Sequence, residues 1–301
     1  MRGVRSGGVR TTRALAVLGL SAILIASCTA QAPPSASPSP AARGRSGSSA
    51  TVHGSWKTIP VPATAVPGDQ REVRVYTPAV ARPDQLPVVY LLHGEPGGAS
   101  DLCNPSVGDS LAAAFASGVQ PIVVACPDGN DDDFDDTEWA DAVDGRSQVE
   151  AFVTGPLITA VEGAHPRPRG LRAISGFSMG GYGAAMLALR HPNLYGQVAT
   201  LAGYFTIDDP DGIFGDDPAV ESAYNPTDLI ALAPRMRWLL IEATNDDLAL
   251  TAHASESYAT LLRARGATVK LRRTPGNHDN AWAEAQLPAV AQFLAAGWKS
   301  G

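Results

Sequence analysis

Pro87-Val-Val-Tyr-Leu-Leu92 runs for six residues without a charged or amide side chain. A strand this apolar on both faces needs cover on both faces, as strands of parallel sheets have. Further strand signals follow at Ile122–Ala125, Leu171–Ile174, Val198–Leu201, Arg237–Ala243 and Val269–Arg273. Helix signals fall between them. Leu111–Ala116 is one, and Gln148–Val161 is a second, with Phe152, Leu157 and Val161 on one face. A third ends at Arg190, before His191-Pro192. A fourth is capped by Thr251, carries Tyr258, Leu261 and Leu262, and stops at Gly266. Ala281–Ala296 is the last. Two further strands, Trp56–Pro62 and Glu72–Tyr76, precede the series, with turn chemistry at Pro67-Gly68. Strands alternating with helices predict an α/β fold, a mainly parallel doubly wound sheet with helices on both faces. There is no internal repeat.

The N-terminus is organised differently. Residues 1–27 carry Arg2, Arg5, Arg10 and Arg13, no acid, and an apolar run from Ala14 to Ser27. That run is too short to span a bilayer and reads as a signal-peptide core. Ile25-Ala26-Ser27-Cys28 resembles the lipobox of bacterial lipoproteins, which implies cleavage before Cys28 and diacylglyceryl attachment to its sulfur. Such acylation implies an extracytoplasmic protein anchored to the cell membrane. A secreted protein cut near Ala30 is the alternative. Residues 28–52 are rich in Pro, Ser, Ala and Gly and read as a disordered tether, so the globular domain is expected over 53–301. In an exported chain, Cys103 and Cys126 are expected to form a disulfide, with two buried thiols as the alternative.

Composition excludes several classes of function. With the four arginines of the signal segment gone, the net charge of −7 becomes −11. An acidic chain without a basic cluster is not expected to bind nucleic acid. No phosphate-binding loop or dinucleotide fingerprint is present, so no cofactor is expected, and no metal ligands are assigned.

Chemistry points to Leu171–Arg190. There a strand enters Gly176-Phe177-Ser178-Met179-Gly180 and a helix leaves it. Strand, G-x-S-x-G, helix is the context of a nucleophile elbow, in which a sharp turn lifts Ser178 Oγ above the sheet edge. A serine needs a base, and the base needs an acid to orient it. His278, in Thr274-Pro275-Gly276-Asn277-His278-Asp279, lies just beyond a strand, where catalytic groups collect. His253 falls inside a predicted helix and fits less well. Asp246 and Asp247 directly follow the strand that ends at Ala243; Asp246 is favoured as the acid, with Asp247 the alternative. The Met179 N–H, straight after the serine, is one oxyanion donor. The second comes from the loop after Leu92, and because Pro96 has no N–H it is Glu95 or Gly97.

Val89-Tyr90-Leu91-Leu92-His93-Gly94, Gly176-Phe177-Ser178-Met179-Gly180-Gly181, His191-Pro192, Thr244-Asn245-Asp246 and Gly276 to Trp282 recur in the order of one family. Over residues 55–297 the chain resembles the esterase D-like α/β-hydrolases, which include feruloyl and acetyl-xylan esterases, S-formylglutathione hydrolase and mycolyltransferases. The resemblance implies an α/β-hydrolase fold with Ser178 as nucleophile, Asp246 as acid and His278 as base. It also implies oxyanion N–H groups at Glu95 and Met179. Two places depart from the family pattern: Glu95 brings a carboxylate to the oxyanion loop, and Asn277 and Asn280 flank His278-Asp279.

Residues 128–144 contain nine Asp or Glu among seventeen. Their spacing fits no EF-hand. The segment is expected to be a solvated loop bordering the site, one that discourages anionic substrates and hydrogen-bonds sugar hydroxyls, with a calcium site as the alternative. The link from Gly203 to Pro234 is too short for a large lid, which leaves the site open to a bulky or polymer-attached ester. The expected function is therefore serine-ester hydrolysis on an ester that carbohydrate could carry. Acyl transfer to a sugar hydroxyl is the enzymatic rival, and a catalytically silent binding lipoprotein is the other.

Overall fold

A computed structural model describes residues 52–298 apart from 65–66, 132–135 and 210. The signal segment, Cys28 and nearly all of the tether lie outside the described residues, as do four residues of the acidic segment. Among the described residues, no helix is long and apolar enough to cross a membrane.

Eight strands form one sheet: β1 (Gly54–Pro62), β2 (Gln70–Pro78), β3 (Val88–Leu92), β4 (Val123–Pro127), β5 (Arg172–Phe177), β6 (Gln197–Leu201), β7 (Arg237–Ala243) and β8 (Thr268–Thr274). Their order is β1-β2-β4-β3-β5-β6-β7-β8. β1–β2 and β2–β4 pair antiparallel, and every other pair is parallel. Among the described residues, seven α-helices accompany them: α1 (Pro105–Ala116), α2 (Val149–Thr154), α3 (Pro156–Glu162), α4 (Met179–Arg190), α5 (Pro218–Tyr224), α6 (Ala254–Ala264) and α7 (Asn280–Ala295).

Side-chain alternation along β3 shows how the sheet is covered. Val88, Tyr90 and Leu92 join one core with Phe152 of α2, Leu157 of α3, Tyr182 of α4 and Leu262 of α6. Val89 and Leu91 join the other with Leu111 of α1 and Leu287 of α7. A strand's side chains point to opposite faces in turn, so an all-apolar strand serves both cores.

Three local expectations are corrected. Gln148–Val161 is not one helix: Gly155, at φ −126° and ψ −88°, separates α2 from α3, and Pro156 lacks the N–H that would continue the ladder. α1 begins six residues before Leu111, because Asn104 accepts from the Val107 N–H at 3.1 Å and Pro105 takes the first helical position. Thr251 does not cap α6. His253, at φ 61°, holds that position, and Leu261 is exposed while Tyr258 and Leu262 are buried.

Cys103 and Cys126 are joined by a disulfide, their Cα atoms 6.2 Å apart. The bridge ties the loop after β3 to the end of β4. Closing a loop across 23 residues of separation stabilises a fold by about 3 kcal/mol in the chain-entropy account. The double variant Cys103→Ala/Cys126→Ala is expected to lose about that much in denaturant unfolding. A midpoint unchanged from wild type would show that the bridge is idle.

Candidate active site

β5 ends at Phe177 and α4 begins at Met179, so Ser178 alone makes the turn. It does so at φ 54° and ψ −120°, a conformation rarely held by a residue with a side chain. Two glycines make the turn sterically possible. A Cβ on Gly176 would overlap the carbonyl of Gly180, and one on Gly180 would overlap the carbonyls of Leu92 and His93. The Ser178 N–H donates to Leu201 O at 3.0 Å, tying the turn to β6.

His278 reaches this serine from the loop after β8. Its Nε2 lies 2.9 Å from Ser178 Oγ, and its Nδ1 lies 2.9 Å from Asp246 Oδ2. A carboxylate can only accept, so Nδ1 carries the proton and Nε2 is free to accept from the serine hydroxyl. The imidazole leans on the Phe177 ring, with centroids 4.7 Å apart. The Asp246 side chain is fully enclosed, and its Oδ1 accepts from Leu248 N–H at 3.1 Å. Asp247 is exposed. The structure therefore brings together Ser178, His278 and Asp246, and leaves Asp247 and His253 aside.

One neighbour was not legible in the sequence. Thr251 is buried, and its Oγ1 lies 3.3 Å from His278 Nδ1, a second oxygen beside the same ring nitrogen. Read as a helix cap, it gave no sign of that contact.

The loop after β3 lies against the serine. A Cβ built on Gly94 would stand 3.0 Å from Ser178 Cβ, and Glu95 is the residue that follows it. Gly97 packs instead against the Gly94 carbonyl and the Asp101 carboxylate. The Glu95 side chain is exposed, which turns its charge to solvent. Met179 N–H opens α4, where first-turn amides have no intrahelical acceptor. Of the departing asparagines, Asn277 is exposed and Asn280 Nδ2 donates to Asp101 Oδ2 at 3.3 Å.

His93 fixes this loop. Gly129 N–H donates to its Nε2 at 2.9 Å, which leaves the ring proton on Nδ1, where it donates to Gly94 O at 2.9 Å. Both nitrogens of the neutral ring are thereby used.

Residues 64–294 match the family model described as Putative esterase. The chain belongs to this esterase family. Solved structures agree on its fold. A ferulic acid esterase superposes with TM-score 0.69 at 18% identity, covering 82% of this chain and 100% of its own. S-formylglutathione hydrolase from Agrobacterium tumefaciens gives 0.71 at 18% identity, covering 82% and 97%. MPT51 of Mycobacterium tuberculosis gives 0.61 at 20% identity, covering 81% and 99%. No curated protein matches by sequence.

In this serine esterase the described part of the acidic segment is not simply a solvated loop, and that expectation is corrected for those residues. Thr137, Glu138 and Trp139 are wholly buried. Trp139 packs edge-on to the His93 ring at 4.8 Å and donates through Nε1 to His93 O at 3.2 Å. Glu138 and Trp139 hold φ angles of 50° and 56°, two consecutive left-handed residues beneath the His93-Gly94 loop. The Tyr204 hydroxyl lies 2.6 and 2.7 Å from the two oxygens of Glu138, and its ring stacks on Tyr182 of α4. Burial, with Asp136 nearby, pushes the Glu138 carboxyl well above the usual carboxylate range. Asp131 is buried and pairs with Arg71 of β2. Among the described residues, the group close enough to ligate a metal is Glu242, His253 and Glu256. Arg273 Nε stands 3.1 Å from Glu242 Oε1, so a guanidinium already holds that carboxylate.

Proposed function

We propose that this esterase hydrolyses carboxylic esters through an acyl-enzyme on Ser178. Ser178 Oγ attacks the carbonyl carbon while His278 Nε2 takes its proton, and Asp246 balances the imidazolium that forms. The Met179 and Glu95 N–H groups stabilise the negative carbonyl oxygen. The bond to the alcohol then breaks, with His278 returning the proton to the leaving oxygen. Water adds to the acyl carbon by the same route, and the acid departs as Ser178 Oγ regains its hydrogen. A sugar hydroxyl in place of water would make the same intermediate an acyl donor.

The observation that carries this reading is the unbroken line from Ser178 Oγ through His278 to Asp246, both steps 2.9 Å. A fluorophosphonate probe tests it. We expect one adduct on the wild type and none on Ser178→Ala. No adduct on the wild type, or equal labelling of the variant, overturns the reading. In the same reading the enzyme works outside the cytoplasm, held to a membrane through acyl groups on Cys28. The Ile25-Ala26-Ser27-Cys28 sequence and the Cys103–Cys126 bridge support that placement. The ferulic acid esterase among the similar structures makes an aromatic acyl group the first to test.

Asp136 lies close enough to Glu95 to feel its charge, and these carboxylates would disfavour anionic esters. Burial pushes the Asp136 carboxyl up to about 6, and the nearby charges of Glu95, Asp211 and Asp208 add to the rise. A carboxyl with a raised pKa is charged above that value and neutral below it. Discrimination against an anionic ester should therefore weaken as pH falls through about 6. The measurement is kcat/KM for a sulfonated ester against its neutral isostere between pH 5 and 8. A ratio that stays flat with pH, or that moves equally in Asp136→Asn, would rule this role out.

A further inference from the structure

β5, β6, β7 and β8 begin at Arg172, Gln197, Arg237 and Thr268, at the sheet edge opposite Ser178. A cavity of about 310 Å³ lies there, lined among others by Arg169, Gln197, Arg235, Arg237, Thr268 and Gly297. β5 has six residues, so at about 3.3 Å per residue the cavity stands roughly 20 Å from the serine.

Three guanidiniums share this cavity in a chain whose net charge is −7. Elsewhere, Arg71, Arg82, Arg146, Arg172, Arg190 and Arg273 each pair with a carboxylate. Arg169, Arg235 and Arg237 make no ion pair among the described residues. Neutral acceptors hold them instead. Arg169 donates from Nε to Pro192 O at 2.8 Å and from Nη2 to the Arg235 carbonyl. Arg235 Nη2 donates to Asn193 Oδ1 at 2.9 Å. Arg237 Nη1 donates to Gln197 Oε1 at 2.5 Å, and its guanidinium lies 4.6 Å over the Phe293 ring. These contacts orient the side chains and cancel none of their charge. Burial and the neighbouring Arg235 hold Arg169 below the usual arginine range, as expected when like charges crowd together.

Planar guanidiniums that are fixed in place and lack counterions suit a polyvalent oxyanion, which accepts from several N–H groups at once. We propose that this cavity binds a phosphate group, held by Arg235 and Arg237 with Arg169 behind them. A soluble phosphate compound and a phospholipid headgroup present the same chemistry, and the test separates them.

The test uses the full chain as Cys28→Ser, so that no acyl group attaches it to membranes. Calorimetric titration with inorganic phosphate is expected to saturate at one site and to weaken with added salt. Arg235→Gln and Arg237→Gln should each weaken it at least tenfold. In a parallel arm the protein is sedimented with phosphatidylglycerol or phosphatidylcholine vesicles. Arginine-dependent retention on phosphatidylglycerol alone identifies a lipid headgroup, whereas phosphate binding without retention identifies a soluble ligand. Binding of neither probe, or binding that both variants keep in full, overturns the proposal. Arg235 is exposed, so Arg235→Gln keeps the test valid should Arg237→Gln fail to fold. Ester turnover by Arg235→Gln should stay within twofold of wild type, which separates this test from any failure at Ser178.

Discussion

Ser178→Ala is expected to keep the fold and to lose about 10⁶-fold in kcat, the scale on which a nucleophile and its base act as one unit. The substitution removes only Oγ, and the backbone at φ 54° carries a Cβ before and after. No new strain enters, so thermal unfolding should match wild type. The remaining turnover would come from the oxyanion amides and from substrate binding, which are left in place. The readout is kcat on a neutral aryl ester, with circular dichroism and unfolding as controls. A loss smaller than a hundredfold would mean that another group carries the reaction.

Asp246→Asn is expected to cost about 10⁴-fold in kcat with little change in KM. The replacement has the same shape but presents an amide that donates as well as accepts, which favours the wrong imidazole tautomer. His278 Nδ1 then loses its anionic partner at 2.9 Å and keeps Thr251 Oγ1 at 3.3 Å. The adjacent Asp247→Asn is the internal control. Asp247 is exposed, and its substitution should leave kcat within twofold. The reverse pattern would move the role to Asp247 and contradict the geometry.

Much of this arrangement was legible because each feature rests on local chemistry. Val88–Leu92 announces a doubly covered strand by having no polar face, and Gly176 and Gly180 announce a turn that no Cβ would survive. His278 and Asp246 could be found because each directly follows a strand. Long-range contacts left weaker traces. Nothing near His93 says that its Nε2 will accept from Gly129, because that contact crosses from β3 to β4. Thr251 looked like a cap because threonine suits both roles, and only the loop path brings it to His278. The acidic segment misled for a physical reason. Asp and Glu usually seek water, but here Arg71 pairs with Asp131, Tyr204 holds Glu138, and Trp139 supplies the apolar weight that buries the turn.

That buried turn has a consequence for anyone redesigning the enzyme. Residues 128–144 look like the natural place to graft a foreign loop, being polar, irregular and next to the reaction centre. Trp139 instead packs beneath the His93-Gly94 loop and against α4, where a Cβ on Gly183 would strike its ring. A graft there would disturb the His93-Gly94 loop and the start of α4 before it touched any substrate. Changes of substrate range belong at exposed side chains such as those of Glu95 and Leu248.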